Sequence, residues 1–174
     1  MNKGFNETLT LYKLMILYML NRVSSPLSAS QISDFMLMKG YAPYFRMQEA
    51  LADLQEAELI SAETTYKRTI YRITEKGKET LHFFQSRIGR EIKSDIDDYL
   101  QEKQYELRDE ISVRSDYKLN ADHEYEVTCQ IFENDACTVD LKLIVPTKKE
   151  ALSIAENWEK KHQSVYSLLL SELL

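Results

Sequence analysis

The residues able to carry covalent or metal chemistry are few and scattered. Two cysteines, Cys129 and Cys137, are too small a set for a disulfide framework. Neither sits in a C-x-x-C pair, and a zinc site would need two further ligands. They read as a reduced pair. The histidines His82, His123 and His162 fall in three separate stretches with no carboxylate or cysteine at ligand spacing, so each reads as a surface residue. Asp95-Ile96-Asp97-Asp98 is acidic but lacks the glycine and the spacing of a calcium loop. Only four glycines are present, and GxGxxG, P-loop, HExxH and GxSxG patterns are absent. The expectation is a protein that is no enzyme and needs no cofactor.

Charge is more informative than these groups. The net charge of −6 argues against a general nucleic-acid binder, but it is unevenly spread. Residues 1–90 carry twelve Lys and Arg against nine Asp and Glu, a balance of +3. Residues 91–174 carry ten against nineteen, a balance of −9. Two jobs are implied, and only the front half has the sign needed to approach phosphates. The apolar run from Leu14 to Leu20 is too short to span a bilayer and no cleavage site follows it, so a cytoplasmic protein without membrane contact is expected.

The elements that would position such a surface can be read from periodicity. A first helix is expected over about 8–23, apolar on most sides through Leu9, Tyr12, Leu14, Ile16, Leu17 and Leu20. Ser28-Ala29-Ser30-Gln31 has capping-box spacing and opens a second helix over 29–38, which buries Ile32, Phe35 and Met36 and is closed by Gly40. Pro43 starts a third, reaching about Ala57, with Met47, Ala50, Leu51, Leu54 and Ala57 inward. Then the period changes to two. Residues 59–65 and 68–74 read as strands joined by a tight turn at Tyr66-Lys67. A fourth helix follows the cap Thr74 and points Leu81, Phe84 and Ile88 inward.

Three helices, a hairpin and a helix follow the order of a winged helix-turn-helix. Ile70-Tyr71-Arg72-Ile73-Thr74-Glu75-Lys76-Gly77-Lys78 resembles the hairpin-to-helix junction of PadR-like and MarR-like regulators, and the stretch from Leu51 to Ile60 is similar to the end of their recognition helix. The whole chain also resembles a winged-helix family of Gram-positive bacteria. The regulator resemblance covers residues 8–88. It implies that the start of the third helix enters the major groove, with Tyr44, Arg46 and Gln48 touching bases or phosphates. Arg46 suits a guanine and Gln48 an adenine. It places Tyr66, Lys67 and Arg68 at the wing tip on the backbone, and Ser30 and Gln31 at the second helix start beside a phosphate.

Structural roles compete with these. Lys67-Arg68 also suits an ordinary exposed turn, Arg46 an ion pair with Glu49, and Phe45 a place packed on the first helix. Glu49, Asp53 and Glu56 depart from a strongly basic recognition helix, so few phosphates are neutralised per subunit and a dimer is needed.

In the back half, Ile92, Ile96, Tyr99, Leu100, Leu107 and Ile111 form one stripe of a long helix that could pack on a partner or on its own domain. A weak strand at 116–119 and two alternating strands around Cys129 and Cys137 follow, the latter joined through 133–135. That loop would set Cys129 opposite Val139 and Cys137 opposite Ile131, the thiols being diagonal neighbours about 7–8 Å apart at the backbone, too far for an unstrained disulfide. Thr147 and Glu150 form a second capping box, opening a helix with Ala151, Ile154, Trp158, Val165, Leu169 and Leu173 on one face. Its apolar end suits either an interface across a dimer or a cap on the sheet.

The fold class expected is α+β: an N-terminal winged helix-turn-helix (1–88), a connecting or dimerisation helix (89–112), and a small antiparallel β-sheet with a C-terminal helix (113–174). The function expected is a transcriptional regulator binding double-stranded DNA as a homodimer, with an unidentified effector as a further partner. The alternative is a winged-helix protein-interaction module that binds no DNA.

Overall fold

The computed structural model describes residues 3–133 and 136–174. Its elements are α1 (Lys3–Arg22), β1 (Leu27–Ser28), α2 (Ala29–Met38), α3 (Tyr44–Glu56), β2 (Ile60–Thr64), β3 (Thr69–Ile73), α4 (Glu75–Phe84), a 3-10 turn (Gln85–Arg87), α5 (Arg90–Ser112), β4 (Val113–Leu119), β5 (Tyr125–Glu133), β6 (Ala136–Val145) and α6 (Lys148–Leu173). The chain is α+β, with two antiparallel three-stranded sheets ordered β1-β3-β2 and β4-β5-β6. Its contacts divide it into two compact units, Met1–Thr64 with Arg68–Arg108, and Thr65–Lys67 with Asp109–Leu174. The sequence-based boundaries at 88 and 112 differ from this division, because α5 as far as Arg108 belongs to the first unit.

In the first unit α1 is buried on most sides, as its sequence requires: Met15, Ile16 and Met19 are wholly inaccessible, and Leu9, Tyr12, Leu14, Leu17 and Leu20 nearly so. Ser28 caps α2 by accepting from the Gln31 amide (3.2 Å), while its own N–H donates to Gln31 Oε1 (2.9 Å). α2 and α3 end alike. Gly40 and Glu58 both take left-handed φ (68° and 60°), letting Tyr41 N–H reach Met36 O (2.9 Å) and Leu59 N–H reach Leu54 O (2.9 Å). Only one of these two positions is a glycine.

β1 is a strand that alternation could not reveal, being two residues long; it pairs with β3 through Leu27↔Tyr71 and Ser28↔Ile70. β2 and β3 run from Ile60↔Ile73 to Thr64↔Thr69. At the junction into α4, Thr74 Oγ1 donates to Glu58 O (2.8 Å) and accepts from Gly77 N–H (3.0 Å). Gly77 is needed for room, since a Cβ there would lie 2.1 Å from Leu59 O.

Leu81 and Ile88 face the core, but Phe84 is 47% exposed and Ala57, the C-cap of α3, is exposed as well. Both were expected inside. Phe84 is the last residue of α4, and the 3-10 turn that follows brings Ile88 to an inward place. The α5 stripe packs into the first unit's core through Ile96, Tyr99, Leu100 and Leu107, with Ile92 half-buried; the Ile111 side chain lies outside those described. Two of its acidic residues are tied to other elements of the unit. Asp97 pairs with Arg22 (2.7 Å), and Asp95 accepts from Lys39 (3.1 Å) and from the Tyr41 hydroxyl.

The second unit sets α6 against its sheet around Val127, Cys129, Val139, Ala151, Ala155 and Trp158. Ser115 Oγ donates to Ala155 O (3.0 Å) and Trp158 Nε1 to Gln130 O (3.2 Å), so these two polar groups entering the core are satisfied. The β5–β6 register differs from expectation. Cys137 pairs with Phe132 because the strands already pair at Glu133↔Ala136, and the irregularity between Ile131 and Phe132 then sets Ile131 opposite Val139 and Cys129 opposite Leu141. Of the expected loop 133–135, Asn134 and Asp135 lie outside the described residues. Both cysteines are free, Cys129 buried and Cys137 exposed, and burial pushes the Cys129 thiol up to about 11. The capping box of α6 forms, with Glu150 N–H donating to Thr147 Oγ1 (3.2 Å) and Thr147 N–H to Glu150 Oε2 (3.1 Å).

Candidate nucleic-acid interface

The first turn of α3 presents the exposed side chains on which any reading of this surface depends. Pro43 precedes it in an extended conformation (φ −67°, ψ 150°) and accepts from Arg46 N–H (3.0 Å) and Met47 N–H (3.2 Å). The inward positions of the helix are Met47, Ala50, Leu51 and Leu54. Tyr44 is 51% exposed, and Phe45, expected against α1, is 83% exposed. The helical period explains the correction: two residues before Met47 lies about 200° away around the axis, hence on the outer side. The two rings meet edge to face with centroids 5.8 Å apart. Gln48, one turn on from Tyr44, is half-buried.

Arg46 forms an ion pair with Glu49 on the next turn. Asp53 pairs with Lys13 of α1 (2.6 Å). Two of the three carboxylates that make α3 look acidic in sequence are therefore compensated from within the unit.

The start of α2 serves the fold. Ser30 is exposed, with its Oγ 2.8 Å from Ser28 Oγ. Gln31 is buried, and besides completing the cap its Nε2 donates to Leu107 O (3.2 Å) while its own carbonyl accepts from the Tyr99 hydroxyl (3.3 Å). It is a tie between α2 and α5, which local sequence reading could not show.

At the hairpin tip, Tyr66 and Lys67 belong to the second unit. Tyr66 N–H donates to Asp116 Oδ1 (3.0 Å), and its ring lies 5.2 Å from that of Tyr117. Burial pushes its phenol above the ordinary value, with Ser115 working in the opposite sense. Lys67 is paired with Glu159. Arg68, on the other side of the tip, is half-buried in the first unit. The eight residues singled out from sequence thus divide: Tyr44, Arg46 and Gln48 share the start of α3, Ser30 and Gln31 open α2, and the tip residues fall to different units. Sequence reading missed Phe45 and the exposed Met38 (72%) at the end of α2; counting phase back from Met47 would have found the first.

A family description, Domain of unknown function (DUF4364), matches residues 12–173, from α1 to the last turn of α6. The chain belongs to this family. No curated protein and no solved structure matches it. In this DUF4364 chain, no group of three or more His, Cys, Asp or Glu among the described residues could hold a metal ion. No helix among them is long and apolar enough to cross a membrane. His162 rests near Trp158, with Nδ1 3.2 Å from Glu159 O, while His82 and His123 are exposed.

Proposed function

We propose that the protein is a DNA-binding transcriptional regulator, related to PadR-like and MarR-like proteins and acting as a cytoplasmic homodimer through a winged helix built from α1–α4 and β1–β3. One observation carries this reading above the others. The order helix, short strand, helix, helix, hairpin, helix is accompanied by a sheet in which β3 lies between β1 and β2. That order suits a winged helix, a framework whose third helix enters the major groove. The Thr74-Glu75-Lys76-Gly77 resemblance supports the fold more than the function, because Thr74 and Gly77 both serve the junction itself.

Tyr44, Gln48 and Arg46 are the base-reading candidates. An i,i+3 ion pair is worth about 0.2–0.5 kcal/mol, and a good bidentate base contact about 1–3 kcal/mol, so guanine outcompetes Glu49 for Arg46. The Lys67–Glu159 pair, half-exposed on the lysine side, is likewise weak enough for a phosphate to replace. Leu168, Leu170 and Leu173, exposed along the last turns of α6, are the apolar surface that homodimerisation would cover. The protein has no catalytic role in this account.

A second reading is favoured by the exposure of Met38 and Phe45. Two large apolar side chains, with paired charges behind them, suit a winged-helix surface that binds another protein. Fluorescence anisotropy on labelled duplexes from the chain's own upstream region, and on random genomic fragments, separates the two. DNA binding that weakens steeply with salt and is lost in Tyr44→Ala/Gln48→Ala supports the regulator; its absence from every fragment leaves the protein-binding surface.

A further inference from the structure

We infer that the first unit carries a binding pocket for an uncharged, amphipathic small molecule, between the end of α1, the loop into β1 and the middle of α5. The pocket has a volume of about 380 Å³, within the range of small-molecule sites, about 300–1,000 Å³. Its apolar part is set by the core: Leu27, Leu100 and Leu107 contribute to it and are each less than a tenth exposed. Its polar part is neutral. Gln101 and Gln104 stand one turn apart on α5, and Ser24 and Ser25 come from the α1–β1 loop. Carboxamides and hydroxyls both donate and accept, so they suit a ligand bearing amide or hydroxyl groups on an apolar body.

The charged lining residues, Arg22 and Asp97, decide the class. They are bonded to each other (Nε to Oδ1, 2.7 Å), and the carboxylate holds the guanidinium above its ordinary pKa. A charged ligand would have to displace one partner of this half-exposed pair, at small cost, or shed hydration without a counter-charge. A neutral one does neither. Occupancy also has a route to the rest of the unit, because Leu107 lines the pocket and its carbonyl is held by buried Gln31 of α2. The pocket stands apart from the DNA-binding reading, and its test contains no DNA.

Two-dimensional 15N–1H NMR of the full chain, titrated with acetanilide as a neutral probe and with benzoate and benzylammonium as charged counterparts of similar size, tests it. Saturable shifts at the amides of 22–25, Leu27 and 100–107 are expected, with about tenfold weaker binding of both ions. Ser25→Trp, which fills the pocket from the loop, should abolish the shifts without moving the thermal midpoint. If that variant fails to fold, Gln104→Ala, on the exposed rim, serves instead and should weaken acetanilide several-fold. No saturable shift, equal binding of either ion, or acetanilide binding unchanged in the folded variant overturns the inference.

Discussion

The two units solve the same problem differently. Among the described residues, the first unit buries twenty-five side chains in one cluster, including α1 on most of its faces, whereas the second buries six and leaves Leu168, Leu170 and Leu173 of α6 in solvent. A unit of the first kind closes its core by itself. Both units leave apolar side chains in solvent, Met38, Phe45 and Phe83 in the first, but in the second they run along the terminal turns of one helix beside a small core, and surfaces of that sort mark association sites. On that basis association is proposed for the second unit, and the candidate DNA-reading surface stays with α3 of the first.

The strongest way to break the comparison is to empty the first core. Phe35 is wholly inaccessible, and its ring lies 5.1 Å from that of Tyr99. Phe35→Ala should cost about 3–5 kcal/mol in urea unfolding, and a loss below about 1 kcal/mol would mean this core is not the closed one described. Leu168→Lys/Leu173→Lys bears on the other side. Sedimentation should show the dissociation constant of the proposed homodimer raised at least about tenfold, with unfolding of the protomer changed by no more than about 0.5 kcal/mol. A dimer that survives both charges places its interface elsewhere.

A smaller effect sharpens the account of the first unit. Glu58 adopts the left-handed conformation that Gly40 adopts at the equivalent position of α2. Glu58→Gly should raise the denaturation midpoint by relieving about 1–2 kcal/mol of left-handed strain, less roughly 0.5–1 kcal/mol of added chain entropy and the exposed contact with Lys76 (3.6 Å). The smallest effect concerns acid. Hydrogen bonds from Tyr41 and then Lys39 hold the Asp95 carboxyl below its ordinary value, and burial together with Asp95 pushes the Tyr41 phenol up to about 12. A lowered carboxylate pKa stabilises the fold above the unfolded value and ceases to do so as pH falls through the folded one. The stability gap between the native chain and Asp95→Asn should therefore be present at neutral pH and close below the normal aspartate range. A gap independent of pH from 7 to 2 would rule out the charge as its cause.

Local signals made much of this fold legible. Ser28 and Gln31, and Thr147 and Glu150, lie within one helical turn, so their capping boxes could be read directly from spacing. The inward faces of α1, α2 and α5 followed from period alone. What escaped was decided at a distance. Two-residue β1 exists only because β3 lies beside it, the pairing of Glu133 with Ala136 moved Cys137 from Ile131 to Phe132, and the irregularity beyond Phe132 carried Cys129 on to Leu141. The candidate site shows the same division. Tyr44 and Gln48 sit where helix phase sets them, whereas Gln31 is occupied by Leu107 and Lys67 by Glu159, partners 76 and 92 residues away.

Selection of duplexes from a randomised pool by the full chain, followed by sequencing of the retained fraction, tests the central proposal most directly. A homodimer reading DNA through α3 should enrich a near-palindrome with half-sites about 34 Å, one helical turn, apart, and Tyr44→Ala/Gln48→Ala should lose that enrichment. A pool that emerges unenriched at low salt, from protein verified as folded and dimeric, would contradict the DNA-binding account.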